Sequence, residues 1–336
     1  MPEVRTLILG GTGLLSTSVA QALIDRGDDV TLINRGRTPS RLSGSFRQCV
    51  GDLADAEGFT ALVRCQSPWA CVIDTISTPV TAPHVSAACA GCTRQLVFCS
   101  SSNVYTRPFL HHPVREDHPL GAQFASGTGK ITCEEIHREA ARRGDYALTV
   151  IRPGQICGEG GGVLHSLGQV SGFLDRMRQG KPVVVHGDGL GLWSALHADD
   201  IASIFASAAC NPVAFGGTYN AMGEEWLTWD QYHERIAQVL EVTVPPLLHV
   251  PVEILCTIAP AAGDQARRTL QYPGIYDMSR ARRDFGWKQR IPLIDGLRRT
   301  IGWLAAHDRI EPWDASPEYE RIVSEWQAWR SRGAGA

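Results

Sequence analysis

Two short stretches carry residue types suited to a phosphate ester. The first is Gly10-Gly11-Thr12-Gly13-Leu14-Leu15-Ser16, between an apolar run from Val4 to Leu9 and a segment from Leu14 to Arg26 with apolar residues at helical spacing, closed by Gly27. Glycine at 10 permits a tight turn. Glycine at 13 lets backbone N–H groups approach an anion that faces the helix N-terminus. Ser16 stands where a third glycine often stands, and is small enough to keep helix and strand close. The second stretch, Asn34-Arg35-Gly36-Arg37, follows the run Val30 to Ile33. An acidic residue there would bind a ribose 2′-hydroxyl. Two guanidiniums stand there instead and suit a 2′-phosphate. The pattern predicts a dinucleotide site that favours NADP over NAD, built on Gly10, Thr12, Gly13, Leu14, Leu15, Asn34, Arg35 and Arg37.

The elements that must position these residues follow from the apolar pattern. Ala70–Asp74, Gln95–Cys99 and Tyr146–Ile151 are further near-continuous apolar runs, and a helix is expected from about Lys130 to Arg143. Such strands alternating with helices predict an α/β fold, a doubly wound parallel sheet of the Rossmann kind. Beyond Pro153 the alternation breaks. The expectations there are a loop at Gly158–Gly162, a strand at Val183–His186 and helices at Asp199–Ala209, Trp229–Leu240, Leu293–Ala306 and Pro317–Trp329. They define a smaller, mostly helical C-terminal substrate lobe. The expected division is 1–155 plus about 190–222 for the dinucleotide domain, and about 156–189 plus 223–336 for the lobe. Gly333–Ala336 reads as a frayed tail.

Composition narrows the function. The 336 residues are 43% apolar and 20% charged, enough to bury a large core, and the net charge of −3 gives no field for nucleic acid or an anionic membrane. The first residues lack the pattern of a secretory signal, and no apolar run approaches a membrane span. Ten scattered cysteines, with Cys89 and Cys92 the lone C-x-x-C pair, read for the most part as small buried residues in a reducing cytoplasm. No metal site is expected.

Further motifs, in order, carry a resemblance. They are Gly51-Asp52-Leu53, Phe98-Cys99-Ser100-Ser101-Ser102-Asn103-Val104-Tyr105, Gly127-Thr128-Gly129-Lys130, Ile151-Arg152-Pro153, His197-Ala198-Asp199-Asp200-Ile201, Asp277 through Trp287, and Gly296 through Trp303. With the glycine loop they make the chain similar to the extended short-chain dehydrogenase/reductases, the NAD-dependent epimerase/dehydratase family, over about its whole length. The resemblance implies that Asp52 and Leu53 meet the adenine and that Thr75, Pro153 and Gln155 join the cofactor site. It also implies that Ser101 bonds the reacting oxygen and Lys130 holds the nicotinamide ribose.

The chain departs from the family where the reaction would be decided. Ser126 occupies the position of the tyrosine that acts as general acid or base four residues before the lysine, and a serine hydroxyl carries protons poorly near neutral pH. Tyr105, Cys157, His165, Cys133 and Glu134 are candidates to replace it, although Tyr105 reads more simply as structural, Cys157 as packing, and Glu134 and His165 as solvated or loop residues. Ser101-Ser102-Asn103 stands where sugar-nucleotide dehydratases have Thr-Asp-Glu. Trp193 stands where many such enzymes grip a diphosphate with arginine. Ser102, Asn103, Cys157, Trp193 and Arg267 are therefore the substrate candidates, with Arg268 as a second cation. The reading is an NAD(P)-dependent oxidoreductase, or an epimerase or dehydratase, acting on a small hydroxylated or carbonyl metabolite. The alternatives are a non-redox dinucleotide-binding sensor or scaffold and, more remotely, an RNA-binding protein. A homodimer is expected through the helices after Pro79 and around Lys130.

Overall fold

The apolar runs become seven parallel strands: β1 (Arg5–Leu9), β2 (Asp29–Asn34), β3 (Arg47–Val50), β4 (Trp69–Asp74), β5 (Thr93–Cys99), β6 (Ala147–Pro153) and, after the four short strands given below, β11 (Thr218–Ala221). The structure, a computed structural model, describes residues 4–333. The strand order is β11-β6-β5-β4-β1-β2-β3, so the winding reverses between β1 and β4. That reversal opens a crevice at the strands' carboxyl ends, the usual ligand position in such sheets. There Leu9 pairs with Asp74, and the Thr75 hydroxyl donates to the Leu9 carbonyl at 2.7 Å.

Both sheet faces are covered, which is why these strands are apolar on alternate as well as successive residues. Ile8 packs with Val19 and Leu23 of α1 (Leu14–Arg26) and with Ile201 and Phe205 of α6 (Ala198–Ala208). Leu7 and Leu9 face the other side, with Phe59 and Val63 of α2 (Ala56–Arg64), Val85 of α3 (Ala82–Cys89) and Cys133 of α4 (Ala125–Arg142). Gly27 ends α1 at φ +91°, a conformation that glycine adopts without strain.

A third apolar core lies in the C-terminal part. It draws on α5 (Gly172–Arg178), β8 (Val183–His186), α7 (Trp229–Leu240), β13 (Leu247–Val250), α8 (Val252–Ile258), α9 (Pro260–Gln265), α11 (Leu293–Ala306) and α12 (Pro317–Gly333). Short pairs stitch it together: β7 (Gln155–Cys157) with β10 (Ala195–His197), β9 (Leu192–Trp193) with β12 (Leu227–Thr228), and β8 with β13. Trp193 and Ala195 belong to this core. One turn with five-residue spacing, Ala266–Leu270, continues α9. Fully buried Asp200 accepts the backbone N–H of both Arg290 and Ile291, tying α6 to the segment between α10 (Ser279–Phe285) and α11. Of the expected tail, Gly333 closes α12 and the remaining residues lie outside the described part.

Candidate active site

The glycine loop occupies the crevice at the β1/β4 reversal. Gly10 and Gly11 sit at φ +114° and +100°. A Cβ at Gly10 would stand 2.7 Å from the Thr75 hydroxyl, and one at Gly11 would stand 2.8 Å from both methyls of Leu32. Both positions therefore need glycine for conformation and for space. Exposed Gly13 is different: its φ is −86°, and a Cβ would meet only the Ser16 hydroxyl, at 3.4 Å. Ser16 Oγ accepts the Gly13 N–H at 3.0 Å, so the residue standing in the third-glycine place caps the turn. The first intrahelical bond begins at Thr17, which leaves the N–H groups of Leu14 and Leu15 for an anion. This open, amide-lined surface fits a dinucleotide diphosphate.

The β2 end divides its residues by role. Buried Asn34 bonds the Gly10 carbonyl and accepts from Gly36 N–H and Gln48, so it clamps the loop from behind. Arg35 and Arg37 are exposed, and among the described residues neither forms an ion pair. Asp52 is exposed one strand over, and Leu53 is buried beside it. Thr12 is half-buried in the loop. Lys130, half-buried on α4, donates to the Cys99 carbonyl at 2.9 Å and lies over the Phe98 ring. It is thereby fixed at the carboxyl end of β5.

Beyond these residues a cleft of about 680 Å³ opens between the sheet's carboxyl edge and the C-terminal core. Ser101, Ser102 and Asn103 line it from the β5 end, Ser126 from the first turn of α4, and Gln155 from the β6 end. Trp193 lines it from the opposite side, stacked on Trp229 at 4.7 Å between ring centroids. Pro153 is buried at the last position of β6. Arg107, Tyr272 and Tyr276 also line the cleft.

Several candidates lie elsewhere. Tyr105 is fully buried, and its phenol donates to Asn220 at 2.5 Å. Burial pushes that phenol far up from its ordinary range, against a proton-transfer role. Cys157 is buried against Gly296 outside the cleft, and burial pushes its thiol up to about 12. Cys133 is buried behind the sheet, its thiol pushed up to about 11 by burial. Arg267 is exposed and ion-pairs with Asp264 at 2.6 Å.

Glu134 and His165 correct the solvated reading, because both are buried. Glu134 receives Arg152 through two hydrogen bonds, at 2.9 and 2.7 Å, and the Ser100 hydroxyl at 2.6 Å. Burial alone would raise its pKa, but Arg152, Ser100 and Arg138 together hold the carboxyl below the usual range. This cluster joins α4, β5 and β6 beneath Ser101 and Lys130. His165 stacks on Phe173 in the C-terminal core, and burial holds it well below the ordinary imidazole value.

With this geometry the motif order acquires its meaning, and residues 6–221 match the NAD dependent epimerase/dehydratase family. The chain belongs to that family. Among curated relatives, a 2'-dehydrokanamycin reductase of Streptomyces kanamyceticus is 28% identical over 74% of this chain and 70% of its own length. A chloroplast stem-loop binding protein of 41 kDa from Arabidopsis thaliana is 23% identical over 88% of this chain and 78% of its own. The solved UDP-glucose 4-epimerase of Thermotoga maritima, with UDP-glucose, superposes with a TM-score of 0.72 at 16% identity, over 90% of this chain and 99% of that one.

Against this membership, the epimerase/dehydratase fold holds Ser126 exposed at the cleft, four residues before Lys130 on α4. Sequence reasoning missed Arg107, Tyr272 and Tyr276. The signal was weak: the tyrosines follow a segment without regular apolar spacing, and Arg107 sits among turn-forming residues. No helix of the described residues is long and apolar enough to cross a membrane, and no group of three His, Cys, Asp or Glu among them could hold a metal ion.

Proposed function

We propose that this protein is an NAD(P)-dependent oxidoreductase, or an epimerase or dehydratase, acting on a small hydroxylated or carbonyl metabolite. The observation that carries the reading is that two surfaces lie at the carboxyl ends of the same sheet. The open amide-lined loop at Gly10–Leu15 lies at the β1/β4 crevice, and the cleft holding Ser101 and Ser126 opens from the neighbouring strand ends beside Lys130. When bound, a nicotinamide dinucleotide supplies two-electron redox chemistry there.

This chain's own residues do the rest. The loop amides take the diphosphate, and Arg35 and Arg37 take a 2′-phosphate, which favours NADP over NAD. Asp52 and Leu53 receive the adenine. Lys130 bonds the ribose hydroxyls, and Ser101 orients the substrate oxygen. A proton must reach or leave that oxygen. Ser126, Tyr272 and Tyr276 are the cleft hydroxyls able to move it in place of a tyrosine at 126. Relatives whose names give a reductase and an epimerase support both reaction types. Trp193, in place of an arginine, favours a flat or apolar substrate over a sugar diphosphate. A homodimer through the exposed faces of α3 and α4, in the cytoplasm, completes the proposal.

The test is a redox assay: purified protein with NADPH and a panel of small ketones and aldehydes, followed by nicotinamide absorbance. Turnover abolished by Lys130→Met supports the proposal. A second reading, dinucleotide binding without redox chemistry, rests on Ser126 at the tyrosine position. Tight cofactor binding with no turnover across the panel favours it.

A further inference from the structure

Arg107 is the one arginine that lines the cleft among the described residues, and it has no carboxylate partner there. Its residue is 8% exposed, yet among the described residues no Asp or Glu forms an ion pair with it. Its three hydrogen bonds are all long: 3.4 Å to the Tyr105 carbonyl, 3.4 Å to Asn103 Oδ1 and 3.5 Å to the Tyr276 hydroxyl. Good N–H···O bonds are shorter than this, and a guanidinium has five donors to satisfy. Phe109 covers it, with the guanidinium carbon 5.0 Å from the ring centroid. A desolvated cation with weak partners is costly unless a counter-charge arrives.

The other charged groups at the cleft do not supply one. Asp264 lines it, but Arg267 and Arg268 already engage that carboxylate. Tyr276 accepts from Arg107, so its own O–H remains free to donate. An isolated bridge between Val114 and Tyr276 holds the two loops together. Arg107 and Tyr276 thus form a paired donor set on the cleft wall next to Asn103, with Trp193 close by: a Cβ at Gly274 would stand 3.6 Å from the Tyr276 ring and 3.8 Å from Trp193.

We infer that Arg107, with Tyr276, binds an anionic oxygen group of the substrate, a carboxylate or a phosphate, while the apolar body of the same molecule lies along the aromatic wall. The inference rests on the oxidoreductase reading and specifies its substrate class. Arg107 belongs neither to the glycine loop nor to the Ser101–Lys130 set, and with Tyr276 on the anion the proton role falls to Ser126 or Tyr272.

The test uses three probes with one ring system: 2-naphthoate, 2-naphthyl phosphate and the neutral 2-naphthamide. Each is titrated into the full chain with NADP in excess, read by quenching of tryptophan fluorescence and by calorimetry. At least one anion is expected to bind about tenfold or more tightly than the amide. Preference for the naphthoate identifies a carboxylate, and preference for the phosphate ester a phosphate. Arg107→Gln should erase the preference by weakening the anion far more than the amide, Tyr276→Phe should reduce it, and Arg267→Gln should preserve it. Equal affinity for all three probes, no binding of any, or a preference that survives Arg107→Gln would overturn the inference. The wild-type comparison stands even if a variant does not fold. Cofactor titration in the same samples separates the two readings: lost NADP binding counts against the oxidoreductase proposal, whereas a missing anion preference with intact NADP binding counts against Arg107 alone.

Discussion

Replacing Glu134 by alanine should destabilise the fold by about 3–5 kcal/mol, because it leaves a buried cation uncompensated. In the native chain the side chains of Arg152 and Glu134 are 3% and 1% exposed, and two short hydrogen bonds join them. Without the carboxylate, Arg152 keeps the Glu116 carbonyl at 3.1 Å and the face of Tyr105, and Ser100 loses its acceptor. Such a loss is a large part of the roughly 5–15 kcal/mol that holds a domain folded. Urea unfolding reads it as a lower midpoint at unchanged slope. The double variant Glu134→Leu with Arg152→Met removes both charges and should lose less than Glu134→Ala alone. The pH dependence fixes the sign. Since the folded carboxyl titrates below its unfolded value, its contribution is complete above that unfolded value and fades as pH falls through the folded one. The gap between wild type and Glu134→Ala should therefore narrow below about pH 4. A loss under about 1 kcal/mol at pH 7 would mean the pair is not the desolvated lock described.

Other expectations are simpler to check. Gly11→Ala should cost about 1–3 kcal/mol in thermal or urea unfolding, since a positive φ and two methyl contacts at 2.8 Å oppose a Cβ. Arg35→Ala with Arg37→Ala should weaken NADP by about tenfold to a hundredfold and leave NAD nearly unchanged, by calorimetry. Stability should fall as pH drops from 7 to 5, with proton uptake on unfolding, because burial lowers His165, His186 and His233, the latter two to about 4. The unfolded chain binds more protons in that window, at up to about 2 kcal/mol per histidine at pH 5. A flat profile between pH 5 and 7 would contradict their burial as neutral rings.

The sheet and its flanking helices were legible because their signals are local. Gly27 closes α1, and at Thr228 a capping box opens α7, with Gln231 returning to the Thr228 N–H. The strand Arg47–Val50 was not legible, since it is an edge whose side chains face mostly solvent and carry no apolar pattern. Thr218–Ala221 is fully buried, but Asn220 hides it. That amide is accommodated only because Tyr105 and the carbonyls of Val114 and Asp277 meet it. The glycine loop was legible down to Ser16, whereas Asn34 turned out to clamp the loop from behind. Tyr105 stood in the sequence as either a proton carrier or a structural residue, and in the fold its phenol is held by a partner 115 residues away. Arg107 and Tyr276 are 169 residues apart, and only the folded chain brings them to one wall.

The central claim is that the glycine loop and Lys130 hold a nicotinamide dinucleotide beside the cleft. Native mass spectrometry of the purified full chain, alone and with added NADP or NAD, tests it most directly. The account predicts one dinucleotide per chain, NADP held more tightly than NAD, and binding weakened by Lys130→Met. A folded chain that takes up neither dinucleotide would contradict it.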